Sequence, residues 1–107
     1  MIKFSLATQF PDLAAEIARL LTEEGEQELA CTVADLTIVE RCRCGDEFCA
    51  TMYTVRPPHG AWGRGHRNVS LAPKDGILIL DVLDQKIVEI EVLFRNEIRE
   101  RLLQLLP

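Results

Sequence analysis

The chain has 107 residues, of which 48% are apolar and 27% charged, and a formal charge of −5. That length holds one domain with its own hydrophobic core and excludes a two-domain enzyme with a cleft between its halves. The composition excludes a disordered, collagenous or low-complexity chain. The negative balance argues against a nucleic-acid partner, because that affinity comes mostly from neutralising phosphates.

The opening residues Met1-Ile2-Lys3-Phe4 lack the apolar run of about 7–15 residues that a secretory leader needs. The longest apolar stretch, Ile77 to Leu80, is far below the roughly 20 residues of a membrane helix. A cytoplasmic protein without a membrane role is expected. In that reducing setting the four cysteines, Cys31, Cys42, Cys44 and Cys49, are thiols or metal ligands and not a disulfide frame.

Pro11 suits a first helical turn, and Leu13, Ile17, Leu20 and Leu21 repeat at helical spacing up to a stop at Gly25. Glu26 to Ala34 fits a helix or a strand and is read as a short helix. Leu36–Cys44 and Phe48–Val55 are expected to form a β-hairpin around Gly45-Asp46-Glu47. Arg56–Arg67 holds two prolines and three glycines and reads as a loop.

Asn68–Ala72 follows as a short strand, and Pro73–Gly76 as a turn. Ile77–Leu83 is apolar on both faces, as in a central strand. After a turn at Asp84-Gln85, Ile87–Leu93 puts Val88, Ile90 and Val92 on one side and Glu89 and Glu91 on the other. Phe94, Ile98, Leu102, Leu105 and Leu106 define the stripe of a carboxy-terminal helix, with Leu103 on its far side. The expected architecture is α+β: a single domain, residues 1–107, with an antiparallel sheet of four to five strands. The amino-terminal and carboxy-terminal helices cover one sheet face.

Charge is unevenly spread. Residues 1–40 hold eight acids and two bases (net −6), residues 41–74 six bases and two acids (net +4), and residues 75–107 seven acids and four bases (net −3). One end is suited to steering toward a charged partner. On the acidic side Glu23 and Glu24 are candidate contact residues, against the commoner role of a solvated helix face. On the basic side the loop carries Trp62, Arg64, His66 and Arg67. Trp and Arg dominate interface hot spots. The competing role for Trp62 is to fold back over the end of the sheet.

Two residue clusters could carry chemistry. With a four-residue loop at 45–48, Cys44 and Cys49 become cross-strand neighbours and Cys42 lies two residues back on the same face. Three thiols then converge, and zinc would need a fourth ligand from His59, His66 or Cys31. Buried, inert thiols or a redox-labile pair are the plainer alternative. A nucleophilic Cys49 activated by His66 is a weaker possibility. Separately, Asp81, Asp84, Glu89 and Glu91 surround the last hairpin and could hold a hard cation, although Asp84 is equally a turn residue.

The stretch Cys42-Arg43-Cys44-Gly45-Asp46-Glu47-Phe48-Cys49-Ala50-Thr51-Met52-Tyr53-Thr54 resembles small bacterial proteins with a C-x-C-G…F-C…Y-T hairpin followed by a Gly-His loop. Gly76–Leu93 is similar to a second bacterial hairpin, D-x-D-G-x-I-V-x-I-E-I-L, with Gln85 in place of its glycine. These resemblances imply a fold and bring no reaction. In size, acidity and α+β build the chain also resembles immunity proteins of bacterial contact-dependent toxin systems.

The expected function is therefore a non-enzymatic binding module. It would be an immunity protein that occludes a cognate toxin and needs no cofactor, as a monomer or weak homodimer. A zinc-binding structural or regulatory protein using Cys42, Cys44 and Cys49 is the alternative, and a small thiol-dependent enzyme the third.

Overall fold

A computed structural model describes residues 2–107. Its elements are β1 (Phe4–Ser5), α1 (Leu6–Gln9), α2 (Pro11–Glu23), α3 (Gln27–Thr32), a 3₁₀ turn (Val33–Asp35), β2 (Thr37–Ile38), β3 (Glu40–Arg41), β4 (Met52–Tyr53), β5 (His66–Ser70), β6 (Ile77–Leu83), β7 (Lys86–Leu93) and α4 (Asn96–Leu105). The fold is α+β, with four helices and two antiparallel sheets among the described residues. The larger sheet has five strands in the order β3-β4-β7-β6-β5, and β1 pairs with β2 in the smaller one.

Leu13, Ile17, Leu20 and Leu21 of α2 are all buried, as their spacing predicts. They join Met52, Leu78, Leu80, Val82, Ile90 and Val92 of the sheet, and Ile98 and Leu102 of α4, in one apolar cluster. Arg95, just before α4, grips Glu16 of α2 through two bonds of 3.0 and 3.3 Å. This fork-to-carboxylate contact fixes the angle between the two segments.

Five expectations change. The segments 36–44 and 48–55 do not form one long hairpin. Ile38 turns to β1, so the first strand is split, and only Glu40–Arg41 pairs with Met52–Tyr53. The amino terminus, with no element assigned from sequence, supplies β1 and α1; Ser5 caps α1 by accepting from the Thr8 amide. Strand β5 begins at His66, so His66 and Arg67 leave the loop for the sheet. Phe94 is not in the helix stripe: it has φ +63° and is 59% exposed. Leu103, expected on the far side of α4, is half-buried.

The β6–β7 pairing carries a bulge. Asp81 faces Glu89, but Val82 faces Ile87, so Val88 is an extra residue on β7. A bulge reverses the in-out order locally. Hence Ile87 and Val88 are both buried while the alternation from Glu89 onward holds. The turn between these strands puts Asp84 at φ +51° and Gln85 at φ +64°. Two left-handed residues are the geometry of the tight hairpin turn, in which Asn-Gly or Asp-Gly is preferred.

Gln85 is thus strained where glycine is free. Gln85→Gly is expected to raise unfolding stability by about 0.5–1 kcal/mol, read from the urea midpoint. A lower midpoint would show that the Gln85 contact to Arg67 (3.2 Å) outweighs the backbone strain.

Candidate functional site

The register places one row of side chains across all five strands: Glu40, Tyr53, Glu89, Asp81 and Asn68. Residues directly opposite in antiparallel strands point to the same face. The neighbouring row on that face runs through Glu91, Ile79 and Ser70. Cys42, whose amide donates to the Thr51 carbonyl (2.9 Å), and Cys49, bridged to Leu93, continue the same registers. The alternate residues Met52, Ile90, Leu80 and Val69 lie in the core. The sheet face turned away from that core therefore gathers most of the chemically active side chains.

At one end of this face stand three thiols. The sulfurs of Cys42, Cys44 and Cys49 all lie within 4.8 Å of one another. The expected convergence is present, although regular pairing stops before the tip and Cys44 and Cys49 are not partners in a strand ladder. A turn does the work instead: the Cys49 amide donates to the Asp46 carbonyl (3.2 Å), and Gly45 takes φ +83°. A small cavity of about 20 Å³ opens beside the sulfurs, bordered by Asp46, Arg99 and Leu103.

The two half-buried thiols differ. Burial pushes the Cys42 thiol up to about 11. Burial acts upward on Cys49 as well, but hydrogen bonding from Thr51 and the neighbouring thiols outweighs it, and its net shift is downward. Of these two, Cys49 ionises first.

At the centre of the face stand three carboxylates. Asp81, Glu89 and Glu91 each offer an oxygen within 4.8 Å of the other two. Asp81 is 4% exposed. Its Oδ1 is bonded by His66 Nε2 and by Asn68 Nδ2, both at 2.7 Å, while Oδ2 has no hydrogen-bond partner. Trp62 Nε1 donates to Glu89 Oε1 (3.1 Å), and its ring lies 6.4 Å from that of Tyr53. Tyr53 stands between the two clusters: burial first, then the charges of Glu89 and Cys42, hold its hydroxyl above the usual range. Burial, then the Asp81 carboxylate, raises Glu89, and burial pushes Glu91 up to about 8.

The predicted site residues divide. Trp62 is half-buried against the sheet, the competing role weighed for it. Arg67 is held by both oxygens of Glu26 at 2.9 Å. Arg64 and Glu24 are exposed, and Glu23 pairs with Arg19 on the surface. None of His59, His66 and Cys31 joins the thiol group as a fourth ligand. His66 is spent on Asp81, and Cys31 is exposed on α3.

The Cys49–His66 couple is also ruled out by register. Cys49 shares a row with Leu93 and Ile77, whereas His66 faces Leu83, six residues further along β6. That is roughly 20 Å of strand.

Sequence reasoning noticed the acidic residues but missed Tyr53 and Asn68. The alternating pattern was their available signal, and it needed the register to become a site. No protein-family model, curated protein or solved structure matches the chain.

Glu91 gives a pH test. Its raised value means that the folded chain keeps a proton which the unfolded chain releases near the ordinary value of 4.5. Between these values the folded state binds more protons, so stability must fall as pH rises. In chelator, the thermal midpoint of the native chain relative to Glu91→Gln is expected to decrease from about pH 5 to about pH 8. A relative midpoint that rises across this window would contradict the assignment.

Proposed function

We propose that the chain is a small metal-binding module whose three hairpin thiols capture zinc. The observation that carries this reading is the mutual approach of the Cys42, Cys44 and Cys49 sulfurs to within 4.8 Å. Zinc–sulfur bonds of about 2.3 Å in a tetrahedron set sulfurs about 3.8 Å apart, so at most a modest inward movement completes the triangle. Thiolates select soft or borderline cations over Mg²⁺ and Ca²⁺. A reducing cytoplasm, the expected location, keeps these thiols available.

With three protein ligands, the fourth position is left for water or for a donor from another molecule. A structural zinc site is closed by four protein ligands, and an open position is the mark of a site that exchanges ligands. The arrangement favours a regulatory or metal-transfer role over a purely structural one. Cys49, held toward its thiolate, would bind first, and loading would release protons from the other thiols.

A second reading, the protein-occluding module, is favoured by one observation. Phe48 and Phe94 stack with ring centres 5.1 Å apart, yet are 41% and 59% exposed. A phenylalanine at φ +63° carries backbone strain of about 1–3 kcal/mol. An exposed aromatic pair is suited to anchoring a partner protein, and an immunity protein facing its toxin would be one such case. This pair, with Trp62 turned inward, is the better anchor.

Zinc titration of the reduced chain against a chromophoric chelator separates the readings. One equivalent is expected to bind, with a loss of roughly tenfold or more in affinity for Cys49→Ser. Absence of stoichiometric zinc, or equal affinity in the variant, would remove the metal reading. Under the second reading, a partner retained by the immobilised native chain is lost with Phe94→Ala, and retention by the variant would count against it.

A further inference from the structure

The three carboxylates form a second cluster, separate from the thiols and made of a different chemistry. We infer that Asp81, Glu89 and Glu91 form a binding site for a hard divalent cation of the Ca²⁺ class.

Three observations carry this. The first is spacing: one oxygen from each residue lies within 4.8 Å of the others. Calcium binds oxygens at about 2.4 Å, so no two of its ligand oxygens stand more than about 4.8 Å apart, and these three fall within the span that one ion bridges. Magnesium, at about 2.1 Å, demands a near-perfect octahedron. Carboxylates anchored on two paired strands meet the looser requirement better.

The second is an unused ligand atom. Asp81 is 4% exposed, and His66 and Asn68 both bond its Oδ1. Its Oδ2 has no donor outside the cluster, and only a protonated glutamate beside it can bond it. A buried carboxylate oxygen without a partner is costly, and a cation between Asp81 and the two glutamates removes that cost.

The third is the surrounding shell. His66 and Asn68 orient Asp81, and Trp62 orients Glu89, with donors at 2.7, 2.7 and 3.1 Å. Outer groups that fix each ligand in this way are what a metal site requires. The bulge after Asp81 belongs to the same design. It keeps Asp81 opposite Glu89 while the hairpin end follows a different register.

The site sits on the central strand pair, and Trp62 links it to the loop between β4 and β5. Binding would therefore tie that loop to the sheet. Trp62 is also the chain's one tryptophan, which makes the site directly observable.

Terbium(III) replaces calcium in oxygen sites and emits when an adjacent indole is excited. The intact reduced chain is titrated with Tb³⁺ under indole excitation, followed by Ca²⁺ or Mg²⁺. Saturable emission at one equivalent is expected, reversed by Ca²⁺ at a concentration roughly tenfold below that needed with Mg²⁺. Glu91→Gln and Glu89→Gln, each checked for folding by circular dichroism, should weaken Tb³⁺ binding about tenfold or more.

Emission that is absent or never saturates overturns the inference, whatever the variants do. So does equal affinity in a folded variant, or reversal by Mg²⁺ as readily as by Ca²⁺. Terbium avoids thiolates, so the result is independent of whether the cysteines bind zinc.

Discussion

Everything chemical in this protein depends on the antiparallel register of β7 with its two neighbours. Met52 opposite Ile90, and Leu80 opposite Ile90, put the apolar residues of three strands on one face. With a period of two, the same pairing must collect Tyr53, Glu89 and Asp81 on the other face. A slip of one residue would drive the acids into the core. The apolar face therefore enforces the polar one: burial of Ile90, Leu80, Met52 and Val92 holds the three acids side by side.

Two kinds of donor group share this surface and differ in softness. Thiols gather where regular pairing ends at the hairpin tip, and carboxylates gather on the central strands. Tyr53 lies between them and feels both Glu89 and Cys42. At the thiol end Cys42 and Cys49 are tied to the sheet, and Cys44 sits exposed in the turn between them. The carboxylate end is held by β6, β7 and the donors His66, Asn68 and Trp62. The carboxylate end is thus the more pre-organised of the two, and pre-organisation lowers the cost of binding.

Much of this was legible in the sequence. The α+β class, the α2 stripe, the central strand Ile77–Leu83 and the alternation of Glu89 and Glu91 all follow from periodicity and turn residues. The meeting of three thiols followed from a short loop between Cys44 and Cys49, though a turn and not a ladder achieves it. Other features were hidden for physical reasons. Two-residue strands such as β1 and β2 exist only through tertiary pairing, which no local pattern encodes. Phe94 fits a helical wheel, but its left-handed backbone is set by the junction of β7 with α4. Asp81 reads as an interruption in an apolar strand until the register and bulge put it beside Glu89. Trp62 gave no signal of its direction, because its partner Glu89 lies 27 positions away.

The central claim is that this sheet face is built to hold cations at two chemically distinct places. Crystals grown reduced with zinc and calcium, with anomalous diffraction collected at the zinc edge, test it most directly. A zinc peak bonded to the three cysteine sulfurs at about 2.3 Å is expected. A second ion, with no zinc-edge signal, is expected among Asp81, Glu89 and Glu91 at about 2.4 Å. Sulfurs standing apart without an ion, together with carboxylates joined only to one another, would contradict it.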